Sequence, residues 1–202
     1  MKNVVLTGIG GQGTVLAAKV LAQAAQARGW HVRTAETIGM AQRGGSVTSH
    51  VRMGDAGERV AAPLVNTGMA DMLIAFEPGE AARSLGLLKP EGVLVCASTA
   101  KQSVVATLGK SSYAAEPVLE ALTARVGRTV VVDEQPLLAR LGTTRVLNMV
   151  LLAVAVSQTG SDGEPLLGIT VDELKQAIVA CVKPRFVDMN LSAVDAARGE
   201  LL

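Results

Sequence analysis

The sequence predicts a single α/β domain of three layers, with a mainly parallel, Rossmann-like sheet and an antiparallel excursion near residues 46–65. Three observations point there. The chain opens as strand, glycine turn and helix. Asn3–Leu6 is a short apolar run, and Gly8, Gly10 and Gly13 follow as G-x-G-x-x-G with Gly11 among them. Leu16, Ala17, Val20, Ala24 and Ala27 then recur at helical spacing, with Lys19, Gln23 and Gln26 on the opposite face. Apolar runs and amphipathic stretches alternate through the rest of the chain, the pattern of βαβ units. Finally, 49% of the 202 residues are apolar and 18% charged, enough for one large core, and no stretch has the composition of an interdomain linker.

The elements follow in order. Gly29 stops the first helix, and Trp30–Glu36 alternates as a second strand. A loop from Thr37 to Gly45 leads to Ser46–Met53, strongly alternating and turned by Gly54–Gly57. Arg59–Val65 is expected as its hairpin partner, held to an edge by Pro63. Asp71–Phe76 is a further apolar strand, and Pro78 starts a helix to about Leu88. Lys89–Gly92 makes a turn into the strand Val93–Ala97. Thr99–Ala114 reads as irregular, with one short strand at Ser103–Ala106. A helix at Pro117–Val126, a strand at Thr129–Val132 and a short helix at Gln135–Leu141 come next. Thr143 or Thr144 is expected to cap a helix to Gln158 that is apolar nearly all round, placing it at the centre of the domain or under a partner. Asn148 within it reads as a structural pin. Thr170-x-x-Glu173 is a capping box for a helix to about Val182, and a last helix follows Pro184.

Composition removes several function classes. A net charge of +1 points at neither nucleic acid nor an anionic membrane, and one Trp, one Tyr and two Phe are too few for base stacking. Met1-Lys2 runs straight into a strand without the apolar core of a signal peptide, and the longest apolar run, Met149–Val156, is far short of the roughly 20 residues of a membrane span. A cytoplasmic location is expected. Cys96 and Cys181 stand alone in apolar contexts with no C-x-x-C, so the chain cannot supply the four thiolates of an iron–sulfur cluster or a structural zinc site, and both read as buried small hydrophobes. His31 and His50 fall within strands and read as surface or satisfied structural residues rather than bases.

Two stretches carry chemistry. A helix N-terminus behind bare glycine amides suits an anion, and in a dinucleotide-binding unit the second strand ends in an acid for the ribose hydroxyls. Glu36 stands 23 positions after Gly13 and fits that place. On spacing alone a nicotinamide or flavin nucleotide is the default ligand, with tight helix–sheet packing as the alternative use of the glycines. Gln12 before Gly13 departs from the small apolar residues usual in this turn, and no catalytic pair beside a substrate-binding arginine is evident. The second stretch, Glu36-Thr37-Ile38-Gly39-Met40-Ala41-Gln42-Arg43-Gly44-Gly45-Ser46, is too polar and glycine-rich for a core element. Arg43 suits a phosphate or carboxylate, and Gly44-Gly45 lets backbone amides approach closely. A plain hairpin loop is the other reading. Convergence with the glycine turn at one sheet edge favours binding.

Together, Gly8-x-Gly10-Gly11-Gln12-Gly13 and Glu36-Thr37-x-Gly39-Met40-Ala41-Gln42-Arg43-Gly44-Gly45-Ser46-Val47 resemble the gamma-type subunit of the 2-oxoacid:ferredoxin oxidoreductases, and within that family the beta-type subunit of indolepyruvate ferredoxin oxidoreductases. The likeness continues through Phe76-Glu77-Pro78, Leu88-Lys89-Pro90-x-Gly92, Arg145-Val146-Leu147-Asn148-Met149, Lys183-Pro184-Arg185-Phe186 and Asn190-Leu191. It covers most of the chain, and residues 1–202 are expected to form one gamma-type domain.

The resemblance implies a complex that oxidatively decarboxylates a 2-oxoacid, indolepyruvate or another arylpyruvate, to an acyl-CoA, carbon dioxide and reduced ferredoxin. In that family thiamine diphosphate and iron–sulfur clusters do the chemistry. This chain has neither the G-D-G thiamine diphosphate signature nor cluster ligands, so both are expected on a larger partner subunit. No catalytic residue is expected in this chain alone, which should be inert. Ferredoxin would be met through the complex, and the isolated chain could form a homodimer. Two roles are left for it: to present the glycine turn and the Arg43 loop to coenzyme A phosphates, or only to shape and close the partner's active site. Gly8, Gly10, Gly11, Gln12, Gly13, Glu36, Gly39, Met40, Gln42, Arg43, Gly44 and Gly45 are the candidate binding residues. An NAD(P)-dependent dehydrogenase and a non-catalytic ligand-binding homo-oligomer are the competing classes.

Overall fold

The structure, a computed structural model, describes residues 1–39, 44–55, 57–101 and 113–200. Six strands form one sheet: β1 (Lys2–Ile9), β2 (His31–Ile38), β3 (Ser46–Gly54), β4 (Ala70–Ala75), β5 (Leu88–Ala97) and β6 (Arg128–Val132). Their order across the sheet is β2-β3-β1-β4-β5-β6. The β1–β4, β4–β5 and β5–β6 pairs are parallel, whereas β3 runs antiparallel to both β1 and β2. The expected three-layer fold with one antiparallel excursion is therefore present.

Seven α-helices are found among the described residues: α1 (Thr14–Ala27), α2 (Pro78–Ser84), α3 (Ala115–Arg125), α4 (Gln135–Leu141), α5 (Leu147–Val156), α6 (Val171–Cys181) and α7 (Val187–Glu200). One sheet face carries α1 and α5, backed by α6 and α7, while the other carries α2 and α3. The alternation of strand side chains decides the faces. Val4, Leu6, Val51, Met72, Ile74, Val93 and Val95 enter the larger core with α1 and α5. Val5, Leu73, Leu94 and Cys96 enter the smaller one with Ala81 and Leu122. Every residue of α5 from Asn148 to Val156 is buried. Its all-round apolar surface is thus covered by its own domain rather than by a partner, because α1, α6 and α7 enclose it against β4 and β5.

Several boundaries differ from the sequence expectation. Arg59–Val65 forms no strand, because both edges of β3 are already taken by β1 and β2. Lys89–Gly92 is not a turn but an excursion inside β5, where the register with β4 jumps from Ala70↔Leu88 to Met72↔Val93. Neither Thr143 nor Thr144 caps α5. Its N-cap is Val146 without a side-chain bond, and the Thr143 hydroxyl instead accepts from the Arg145 amide at 3.2 Å. Cys96 is fully buried and burial pushes its thiol up to about 12, but Cys181 is only half-buried. The short strand expected at Ser103–Ala106 lies outside the described residues. The Thr170–Glu173 capping box is present in both directions, and Gly29 ends α1 with the Trp30 amide returning to the Ala25 carbonyl at 3.2 Å.

The start of α1 is the tightest joint. Gly13 takes φ +86° as the N-cap, and a Cβ there would lie 2.7 Å from Asn148 Nδ2. That amide, 2% exposed, reaches the Gly13 carbonyl at 3.4 Å and pins α5 to α1. An L-residue at this φ costs about 1–2 kcal/mol before any clash. Gly13→Ala should therefore lower the urea unfolding midpoint by the equivalent of about 2–3 kcal/mol; an unchanged midpoint would show that neither the backbone angle nor Asn148 constrains the turn.

Candidate functional site

The glycine turn closes at the C-terminal end of β1, at the point where the chain's connections diverge to either side of the sheet. In open α/β sheets ligands bind in this crevice. The Gln12 side chain fixes the turn. Its Oε1 accepts from the Ile9 amide at 2.7 Å, and its Nε2 donates to the Phe76 carbonyl at 2.8 Å, joining the end of β1 to the end of β4. Gly8 is required by close approach, since a Cβ there would stand 2.8 Å from Phe76 Cβ.

The amides of the turn are not all available to an anion. Gly10 N–H donates to the Gly45 carbonyl at 2.8 Å and Gln12 N–H to the Ile9 carbonyl at 3.1 Å. Among the described residues, the Gly11 and Gly13 amides have no such partner. Gly11, exposed with φ +99°, is the one glycine of the turn facing open space.

The two glycine stretches do converge, by a different route from the one the sequence suggests. It is the start of β3 that sits beside the turn, with Ser46 opposite Ile9 in register. Gly44 and Gly45 therefore meet Gly10, and the Gly39 amide closes the β2–β3 hairpin on the Ser46 carbonyl at 2.9 Å. Met40, Gln42 and Arg43 lie outside the described residues. Glu36 is separated from the group. It is exposed on the edge strand β2, opposite Ser49, and β3 stands between β2 and β1. An acid meant for the ribose of a dinucleotide belongs on the strand next to β1, so this topology removes the geometric basis for a nucleotide reading.

Beside Gly11 and Gln12 lies a cleft of about 300 Å³. Phe76, Leu138 and Leu147 supply its apolar part, Glu134 and Gln135 a polar wall, and exposed Lys101 and Arg145 its cations. Glu134, 1% exposed, accepts from the Ser98 amide at 2.9 Å and the Ser98 hydroxyl at 3.2 Å, which locks the end of β5 to the start of α4. Sequence reasoning missed Lys101, Glu134 and Arg145, which come from three separated loops. The available signal was polar residues directly after strands β5 and β6. A broader depression of about 700 Å³ between Ser98 and α3 exposes Glu116 and Glu120 and, among the described residues, is lined by no cation.

On the α2 side, buried carboxylates brace the same sheet edge. Glu77 caps α2, its Oε1 accepting from the Glu80 amide at 2.6 Å and its Oε2 from the Tyr113 hydroxyl. Tyr113 in turn accepts from the Gly79 amide at 3.0 Å. Glu80 accepts from Ser46 Oγ and pairs with Arg83, so α2 holds the stem of the β2–β3 loop. No group of three or more His, Cys, Asp or Glu side chains able to hold a metal ion occurs among the described residues, and no helix among them is long and apolar enough to cross a membrane.

Comparison with known proteins identifies the relatives of this chain. Residues 3–200 match the family model described as pyruvate ferredoxin/flavodoxin oxidoreductase. The chain belongs to that family. The indolepyruvate oxidoreductase subunit IorB of Pyrococcus horikoshii is 35% identical over 198 residues, covering 96% of this chain and 92% of the relative. IorB of Archaeoglobus fulgidus is 33% identical over 193 residues, covering 95% and 91%. In fold, the chain is similar to the gamma subunit of a keto/oxoacid ferredoxin oxidoreductase from Geobacter sulfurreducens, at 22% identity and TM-score 0.68, with 98% of this chain and 96% of that chain covered. It is also similar to part of a 2-oxoglutarate:ferredoxin oxidoreductase from Magnetococcus marinus solved with 2-oxoglutarate, coenzyme A and succinyl-CoA. That match has TM-score 0.70 at 18% identity and covers 98% of this chain but 30% of that one.

Burial holds the Glu77 carboxyl above its ordinary value of 4.5, against the amides of Gly79 and Glu80, which favour the ionised form. Folding thus prefers the protonated acid. Its contribution is complete below about pH 4.5 and is lost as pH rises through the raised folded value. Glu77→Gln removes this titration, so the difference in Tm, variant minus parent, should become more positive between pH 4.5 and pH 7.5; a constant or falling difference would contradict the burial effect.

Proposed function

We propose that this chain, a subunit of a 2-oxoacid:ferredoxin oxidoreductase, serves a complex whose donor is indolepyruvate or another arylpyruvate, and that it presents coenzyme A to chemistry held on a larger partner. The observation that carries this reading is the family match across residues 3–200, supported by IorB relatives that the chain matches over nearly their full length. The thiamine diphosphate and iron–sulfur clusters of that chemistry belong on the partner. The two cysteines lie on different elements, Cys96 at the end of β5 and Cys181 at the end of α6, and a cluster needs four ligands.

The residues present suit coenzyme A by their chemistry. A pyrophosphate needs amides and fixed cations, and an arm of methylenes and amides needs an apolar wall with polar breaks. The amides of Gly11 and Gly13, the exposed cations Lys101 and Arg145, and the apolar side chains of Phe76, Leu138 and Leu147 supply these groups at one sheet edge. Arg43, the cation the sequence offers for a phosphate, directly precedes Gly44-Gly45, which abut Gly10. Bound there, coenzyme A would bring the thiol that accepts the acyl group. This chain's own contribution is to hold the phosphates, fix the arm and exclude water from the partner's centre.

The test is a coenzyme A titration of the assembled complex by calorimetry. A charge-assisted hydrogen bond contributes about 1.5–3 kcal/mol, so Arg43→Ala and Arg145→Ala should each weaken binding roughly tenfold or more. Undiminished affinity in both variants would overturn the assignment of coenzyme A to this chain.

A further inference from the structure

Residues 59–65 cross the face of β2 and β3 away from α1. Among the described residues they make no backbone–backbone hydrogen bond. Their flanks are tied independently. Upstream, Asp55 and Glu58 pair with the Met1 ammonium; downstream, the Gly68 amide bonds the Gly86 carbonyl at 2.9 Å. Between these anchors three side chains hold the segment. His31 Nδ1 accepts from the Val60 amide at 3.0 Å, and His50 Nδ1 accepts from the Val65 amide at 3.3 Å. Arg52 donates to the carbonyls of Ala62 at 2.9 Å and Leu64 at 3.3 Å. Val60 and Val65, at 1% and 4% exposure, are the apolar plugs beside the two histidine bonds.

A neutral imidazole accepts at one nitrogen, but a protonated one donates at both. Adding a proton at Nδ1 turns each of these bonds into two N–H groups facing one another. We propose that residues 59–65 form a strap whose downstream end is released by acid: protonation of His50 frees the Val65 amide and opens the edge of the apolar cluster that holds Val5, Val65 and Ala70, while Arg52 keeps the middle of the strap attached.

The surroundings favour a switch over a fixed brace. On the sheet face of the two imidazoles the charged groups are Arg33 on β2, Arg52 on β3, Asp71 on β4, Glu80 and Arg83 on α2, Arg59 on the strap and Glu58 just before it; Glu36 of β2 and Lys2 of β1 fall on the opposite face by strand alternation. The carboxylates among them are engaged elsewhere: Glu58 with the Met1 ammonium, Asp71 with Lys89 at 2.5 Å, and Glu80 with Arg83 and Ser46. The nearest permanent charges in register are cationic, Arg33 lying opposite Arg52 and beside the Ala35↔His50 pair. Burial also lowers the His50 pKa from its ordinary value of 6.5, so the closed strap favours the neutral ring and loosens as pH falls below that value.

Amide hydrogen exchange on the full chain tests this directly. After correction for intrinsic rates, protection of Val65 should fall by about tenfold or more between pH 7.5 and pH 5.0, with β1 and β4 amides unchanged. Asn places an Oδ1 acceptor near the position of Nδ1 and does not titrate. His50→Asn should thus make Val65 protection independent of pH. Equal protection of Val65 at both pH values in the parent chain, or the same fall at Val65 in His50→Asn, would overturn the proposal.

Discussion

The Gln12 side chain holds the two halves of this fold together. One amide group bonds the backbone of its own turn and the Phe76 carbonyl just after β4, so the glycine turn after β1 is tied to the loop after β4. Everything at the sheet edge is referred to that joint. Gly13 and Asn148 extend it to α5, and the Gly10–Gly45 bond extends it to the start of β3. Side-chain amides suit this task because each can donate and accept at once in a site with little water. The same residue makes the turn look wrong for a dinucleotide, since it fills with a polar lock the place a small side chain would leave open.

Most elements were legible in the sequence because each has a local cause. The helix at Gln135–Leu141 has its proline at the first turn, the Thr170 capping box is four residues long, and the apolar alternation of β3 is complete within itself. Strand order was not legible. Nothing in the residues of β2 reveals that β3 intervenes before β1, because register is set by long-range packing rather than by propensity. That one insertion explains two departures at once: Arg59–Val65 loses its expected strand partner, and Glu36 is carried away from the glycine turn. The excursion at Lys89–Gly92 misled for the opposite reason, since its Pro and Gly are turn residues locally but sit inside a strand that bulges around them.

The candidate site divides in the same way. Gly10, Gly44 and Gly45 were foreseeable because both glycine stretches end strands or begin them. Lys101, Glu134 and Arg145 were not, since three loops far apart in sequence bring them to one cleft without a shared motif. Glycines with separate duties also look identical in sequence. Gly8 admits Phe76, Gly13 admits Asn148, and only Gly11 faces open space.

Under the proposed function this chain, a subunit of a 2-oxoacid:ferredoxin oxidoreductase, completes a site held mostly on its partner. The most direct measurement is reduction of a viologen dye by an arylpyruvate and coenzyme A, using this chain alone, its larger partner alone, and the two together. The account predicts no turnover by this chain and restoration of coenzyme A-dependent reduction on mixing. Full activity from the partner alone, or nicotinamide-dependent turnover by this chain alone, would contradict it.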